Sequence, residues 1–103
     1  MNKFDNNEDN LQILRKIQKK PETSQRELAK ELKFSLGKLN YCLKALKNKG
    51  LVKIRNSRKK PDKLDNIKYI LTPKGIAERT KLTINFMKRK MEEYDELKRE
   101  IKK

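Results

Sequence analysis

Histidine and tryptophan are both absent from this chain of 103 residues, and cysteine occurs once. Without an imidazole there is no Ser-His-Asp triad, no histidine acid or base and no histidine metal ligand. The single Cys42 cannot form an internal disulfide, and one thiol without histidine is no zinc site. We therefore expect neither an enzyme nor a protein that holds a metal or another cofactor.

Glycine and long apolar runs are also scarce. The three glycines form no phosphate-binding loop, and no apolar run approaches the ~18 residues that a membrane span needs. The N-terminal stretch is polar and acidic, unlike a signal peptide. The lone thiol suits a reducing, intracellular setting, and no contact with a membrane is expected.

Apolar residues make up only 34% of the chain and charged residues 42%, so the core must be small. Disorder is the first alternative. Leucine, isoleucine, valine and phenylalanine together account for 25 of the 103 residues. This share exceeds the roughly 20% below which a highly charged chain fails to fold. These residues are also spaced periodically, which indicates one folded domain.

Positive charge is concentrated in the middle of the chain. The protein has 29 basic and 14 acidic residues, a net charge of +15. Residues 35–72 hold 11 of the basic residues and only 2 of the acidic ones. A solubilising surface would spread its lysines evenly, whereas a local basic surface is typical of a protein that binds a polyanion.

Three helices are predicted before Gly50. An apolar stripe predicts the first over roughly residues 9–19, after a disordered tail at residues 1–8. Ser24 and Glu27 form a capping box that opens a short second helix, and a tight turn at Lys33 follows, with the next side chain folded inward. Ser35 then caps a third helix that runs to residue 49 and ends at Gly50.

The third helix has two distinct faces. Leucines at positions 36, 39, 43 and 46 fall within an arc of about 80°, and the opposite side carries glycine, amide, phenol and lysine groups. Such a helix suits the second position of a helix–turn–helix, whose outer face enters the major groove of DNA. Tyr41 could instead be a core aromatic, but its place opposite the leucines favours groove contact. Cys42 is expected to be a small buried side chain, with redox sensing a distant second.

The period then changes from helix to strand. Residues 51–55 and 67–71 read as two strands around a long basic loop, which together make a wing. Thr72 and Pro73 start a last helix that runs to about Ile101. This helix would be roughly 43 Å long, which is more than the small domain before it (the head, residues 9–72) can cover. The predicted fold is mainly α with a small β-hairpin wing: a winged helix–turn–helix domain over residues 9–72 and a C-terminal coiled-coil helix over 73–103.

Three sequence blocks carry a family resemblance: SQRELAKEL (24–32), SLGKLNYCLKALKNKGLVKIRN (35–56) and LTPKGIAERTKLTINFMKRKMEEY (71–94). They resemble MarR-type winged helix–turn–helix transcription regulators, and most closely a short subgroup found with exopolysaccharide biosynthesis genes. The resemblance implies a homodimeric regulator that binds double-stranded DNA in the prokaryotic cytoplasm, associated with the nucleoid. It covers nearly everything after residue 10.

Two departures from the family pattern matter. Full-size MarR proteins are longer, with helices from both termini enclosing a ligand pocket, so a small-molecule effector is not expected here. The family's wing often carries an Asp-x-Arg pair before Leu-Thr, where this chain has Lys63-Leu64-Asp65. Arg58 is the best substitute for the minor-groove arginine.

The residues that we expect to contact DNA come from the helix caps, the outer face of the third helix and the wing. An asparagine on that face can make a bidentate contact to adenine, and its lysines could reach guanine or only phosphate. The full set is Ser24, Gln25, Ser35, Gly37, Lys38, Asn40, Tyr41, Lys44, Arg55, Arg58, Lys59, Lys60 and Lys63.

The alternatives are a winged helix that binds RNA or a protein, and an enzyme. Fold alone does not decide between DNA, RNA and protein, but the few exposed aromatics argue against single-strand binding. Carboxylates at positions 92, 93, 95 and 96 could suggest a metal or acid–base site. Beside the basic residues 88–90 on an exposed helix, they are better explained as ion-pair partners.

An apolar seam with alternating spacings of three and four runs along the last helix. It comprises Ile84, Met87, Met91, Tyr94, Leu97 and Ile101, with Lys98 beside Leu97. We expect this seam to be the interface of a homodimer. The basic cluster before Met91 and the acidic cluster after it favour antiparallel pairing about Met91, although parallel pairing stays open.

Overall fold

The computed structural model describes residues 7–55 and 67–102. It contains four helices and one antiparallel hairpin within those ranges, in the order α1 (Asn7–Lys19), α2 (Gln25–Leu32), α3 (Leu36–Asn48), β1 (Val52–Arg55), β2 (Lys68–Leu71) and α4 (Pro73–Ile101). This element order confirms the predicted winged helix–turn–helix with a long C-terminal helix. α1 begins two residues earlier than expected, within the stretch assigned to the tail, and each strand is one residue shorter.

Three hydroxyl side chains start three of the helices. Ser24, Ser35 and Thr72 each accept a hydrogen bond from the backbone N–H three residues later, at 3.1, 3.0 and 3.0 Å. Each cap satisfies one of the N–H groups that a helix start leaves without an intrahelical partner. These short-range signals explain why the predicted starts of α2, α3 and α4 are correct to the residue.

A left-handed residue makes the sharp turn between α2 and α3. Lys33 adopts φ 60°, and the N–H of Phe34 donates to the carbonyl of Ala29 at 2.9 Å. This geometry lets α3 leave α2 after only three residues, and Phe34 packs half-buried against the core, as predicted. The turn therefore fixes how α3 is presented at the surface.

Leucine and isoleucine side chains of the first three helices form the core. Ile13, Leu14, Leu39, Leu43 and Leu46 are all completely buried. The leucine stripe of α3 is therefore confirmed from Leu39 onward, and so is the burial of Cys42. The prediction for Leu36 was wrong: it is 43% exposed, because the first residue of α3 precedes the part of that helix that packs on the core.

Hydrogen bonds and a close backbone contact connect the start of α4 to the residues that follow α3. The Thr72 hydroxyl donates to the carbonyl of Gly50 at 2.6 Å, and the Thr72 N–H donates to the carbonyl of Leu51 at 3.1 Å. A Cβ on Gly75 would lie 1.9 Å from that same Leu51 oxygen. The Leu-Thr-Pro-Lys-Gly segment thus brings the start of α4 against the end of α3.

α4 divides into a packed half and an exposed half. Leu82 is buried in the core and Phe86 is half-buried against it, so the first half of α4 packs on the rest of the domain. Every residue from Met87 to Lys102 is exposed, and the molecule extends 62 Å in its longest dimension. None of the helices in the described residues has a segment apolar enough to cross a membrane.

Candidate nucleic-acid interface

The outer face of α3 is polar, contains a glycine and lies at the surface. Gly37, Asn40, Tyr41 and Lys44 are all exposed, and their spacings of three and four residues place them on one side of the helix. Leu36 borders this face one turn before Asn40. The structure thus brings together four of the residues that we predicted to contact DNA from α3. It also places the apolar side chain of Leu36 at the edge of this face, although Leu36 shares the spacing of the buried leucines.

Gly37 is not required by the packing of the protein. A Cβ placed on it would meet nothing within 4 Å, and its backbone has no left-handed angle. Glycine in a helix costs about 0.5–1 kcal/mol relative to alanine. A glycine that the fold itself does not need leaves the helix backbone open to close approach by a partner.

Lys38 is held by the protein itself. Its ammonium lies 3.0 Å from a carboxylate oxygen of Asp9 and 4.1 Å from the centre of the Phe34 ring. The side chain is only 27% exposed. Lys38 thus ties the first turn of α3 to α1, a role that sequence spacing could not indicate because Asp9 lies 29 positions away.

Gln25 differs from its predicted role at the DNA surface. It is the first residue of α2, and it is only 4% exposed. A side chain buried to this extent offers little surface for a contact with DNA. Ser24 and Ser35 hold the helix starts through their hydroxyl groups.

The described part of the wing carries one residue of the predicted site. Arg55, at the end of β1, forms an ion pair with Glu22 in the segment between α1 and α2, and its side chain remains 55% exposed. The other predicted wing residues, Arg58, Lys59, Lys60 and Lys63, lie outside the described residues. On β2, partial burial raises the pKa of the Tyr69 phenol, which lies opposite Ile54 in the hairpin.

A second ion-pair group fixes α2 against α1. Glu31 accepts a hydrogen bond from Lys20 at 3.1 Å, and Lys16 lies 3.7 Å away. The hydrogen bond from Lys20 is the main cause that lowers the pKa of Glu31 below its ordinary value. These contacts are exposed and individually weak, but they help to orient the helix that precedes α3.

No group of three metal-binding side chains occurs among residues 7–55 and 67–102. A pocket of about 220 Å³ lies between α1, the end of α3 and the start of α4, with Asn10, Lys49, Lys74 and Glu78 on its walls. This volume is below the roughly 300–1,000 Å³ of most small-molecule sites.

Comparison with known proteins agrees with the geometry. A family model described as winged helix-turn-helix DNA-binding matches residues 10–53, from α1 to the start of the wing. Staphylococcus aureus MarR, solved in complex with salicylate and kanamycin, is 23% identical and superposes with a TM-score of 0.69 over 84% of this chain and 56% of its own. The fold is that of the MarR-family regulators.

Two further solved structures share this fold. Streptococcus pneumoniae FabT in complex with DNA is 24% identical, with a TM-score of 0.62 over 84% of this chain and 58% of its own. The multiple antibiotic-resistance repressor (MarR) of Listeria monocytogenes is 26% identical, with a TM-score of 0.65 over 85% and 59%. The chain thus spans just over half the length of these structures, and no curated protein matches its sequence.

Proposed function

We propose that this MarR-like chain is a sequence-specific regulator of transcription that binds double-stranded DNA as a homodimer. The observation that carries the proposal is the outer face of α3, on the second helix of the helix–turn–helix. Its amide, phenol and lysine groups are exposed, while the opposite face of the same helix fills the core. This is the arrangement that places side chains in a major groove.

Each group on this face has a counterpart on DNA. The Asn40 amide can donate to and accept from the edge of adenine, and Lys44 can donate to guanine or to a phosphate. Leu36 adds an apolar surface of the kind that contacts the thymine methyl group. The bare backbone at Gly37 lets this part of α3 lie close to the base edges.

The basic residues around α3 supply the affinity that does not depend on sequence. Residues 35–72 hold most of the excess positive charge, and the wing residues Arg58, Lys59, Lys60 and Lys63 would follow the neighbouring backbone or minor groove. The structure of Streptococcus pneumoniae FabT is a complex with DNA, which supports DNA as the ligand of this fold. No histidine is present to serve as a catalytic base, which supports a role other than that of an enzyme.

The dimer would form through the exposed seam of α4. Met87, Met91 and Tyr94 are 56%, 64% and 64% exposed, which is costly for apolar side chains unless a partner covers them. The resemblance of the sequence blocks to the exopolysaccharide-associated subgroup extends the proposal to genes of exopolysaccharide biosynthesis as targets. A protein of this kind would work in the cytoplasm, on the nucleoid.

The test begins with selection of a preferred duplex from a random double-stranded library. Asn40→Ala and Tyr41→Ala should each weaken binding to the selected duplex by about 1–3 kcal/mol and leave binding to random duplex unchanged. Asn85→Ala, which removes an exposed amide from α4, is the matched control and should change neither. Equal losses on both duplexes would show that α3 does not read the sequence. Preferential binding of single-stranded RNA in competition would replace DNA as the ligand.

A further inference from the structure

α4 has two apolar faces on opposite sides. Leu82 and Phe86 face the core, whereas Ile84 and Met87 point away from it and are 47% and 56% exposed. At 100° per residue, Ile84 lies 200° around the helix from Leu82. Because the head packs on the opposite side of α4, it cannot cover the seam by shifting along the helix. Only another surface can bury the seam.

We propose that a second copy of this chain covers the seam, with the two α4 helices antiparallel and a two-fold axis beside Met91. The inference rests on the homodimer of the proposed function and specifies its geometry. Six positions follow heptad spacing along α4, namely Ile84, Met87, Met91, Tyr94, Lys98 and Ile101, with Leu97 on the flank. Two such stripes can interlock as an antiparallel pair of helices.

The flanking charges select the orientation. Lys88 and Asp95 lie seven residues apart on the same edge of the seam, and both are exposed. In an antiparallel pair about an axis beside Met91, Lys88 comes level with Asp95 of the partner subunit, and symmetry repeats the contact. In a parallel pair, equivalent residues are level instead, so the two basic clusters at residues 88–90 face each other.

The position of Lys98 within the seam also favours antiparallel pairing. Lys98 occupies a seam position between Tyr94 and Ile101. Parallel helices would place Lys98 against Lys98 of the partner subunit, two like charges at one level of an apolar interface. Antiparallel helices about Met91 place it near Ile84 of the partner subunit, where the aliphatic stem can pack and the ammonium can reach water.

The arrangement places the two heads at opposite ends of the paired helices. With the axis beside Met91, the two copies of Leu82 lie about 18 residues apart along the pair, which corresponds to about 27 Å. Adjacent half-sites one turn apart on DNA are separated by about 34–36 Å. The points at which the two heads pack on the paired helices are thus separated by a distance of that order.

Four cysteine variants test the orientation in the full chain. Met91→Cys lies near the axis and should form a disulfide dimer when a thiol oxidant is added. Ile101→Cys should not cross-link with itself, whereas a mixture of Ile84→Cys and Lys98→Cys proteins should form the mixed disulfide dimer. The unaltered protein is the control, because Cys42 is 1% exposed and should not react.

Ready cross-linking of Ile101→Cys alone would mean parallel helices and would overturn the proposal. Failure of Met91→Cys to cross-link would show that the seam does not pair with a second copy. Neither result concerns DNA contact by α3, because binding of random and selected duplexes by the same variants is measured separately. The failure of the pairing and the failure of DNA binding are therefore distinguishable.

A charge exchange tests the register independently. Lys88→Glu should raise the dissociation constant of the dimer about tenfold, since two symmetric ion pairs become repulsive contacts. Adding Asp95→Lys to the same chain should restore the original value. The two positions are seven residues apart and are not neighbours within one helix. Additive losses in the double variant would contradict the pairing of Lys88 with Asp95 of the partner subunit.

Discussion

Replacing Gly37 by alanine should separate stability from DNA binding. A Cβ at this position meets nothing within 4 Å, so the fold has room for the methyl group. Alanine favours the helix by about 0.5–1 kcal/mol relative to glycine. At roughly 4–8 °C per kcal/mol for a domain of this size, the melting temperature should rise by about 2–8 °C.

The same methyl group should weaken DNA binding. Gly37 lies in the first turn of α3, where the recognition helix comes closest to base edges. We expect the affinity for the selected duplex to fall by at least about tenfold, equivalent to about 1.4 kcal/mol. Thermal unfolding followed by circular dichroism and a fluorescence-anisotropy titration on the same sample measure the two quantities.

Gly75→Ala provides the matched comparison. Its new Cβ would lie 1.9 Å from the carbonyl oxygen of Leu51, so this substitution should lower the melting temperature. The reasoning would be refuted if Gly37→Ala bound the selected duplex as tightly as the original protein, or if it destabilised the fold as Gly75→Ala does.

Three further predictions concern stability. Leu39→Ala should cost about 2–5 kcal/mol of unfolding free energy because Leu39 is fully buried. Leu36→Ala should cost under about 1 kcal/mol, and chemical denaturation of the two variants compares them; similar losses would contradict the exposure of Leu36. Ser35→Ala should lose about 1 kcal/mol through the missing cap of α3, which the same assay measures. Glu31 has a pKa below its ordinary value of 4.5, so its contribution to stability is present above that pH and is lost as the pH falls through the lower, folded value. In thermal unfolding between pH 3 and 6, Glu31→Gln should therefore show a smaller loss on acidification than the original protein; an unchanged loss would count against the ion pairs.

The sequence predicted the fold well because its signals are local. Ser24, Ser35 and Thr72 mark helix starts through hydrogen bonds that span only three residues. The change from helical to strand spacing after Gly50 likewise depends on neighbours in sequence. Such signals do not depend on which other element packs nearby, so periodicity and capping are enough to locate them.

The predictions that failed depend on tertiary position. Leu36 shares the spacing of the buried leucines but lies ahead of the packed part of α3. The pairing of Lys38 with Asp9 requires the α1–α3 geometry, which no local pattern encodes. The outer face of α3 could be predicted from the sequence because it is the complement of the leucine stripe.

The salt dependence of duplex binding tests the central claim most directly. If each subunit of the dimer neutralises about five phosphates, the logarithm of the association constant should fall with the logarithm of salt concentration with a slope near −9. The measurement needs only the unaltered protein and a duplex of random sequence, titrated between about 50 and 300 mM salt. A slope near −9 is the predicted result. A slope shallower than about −3 would contradict the claim that the basic surface around α3 and the wing binds DNA.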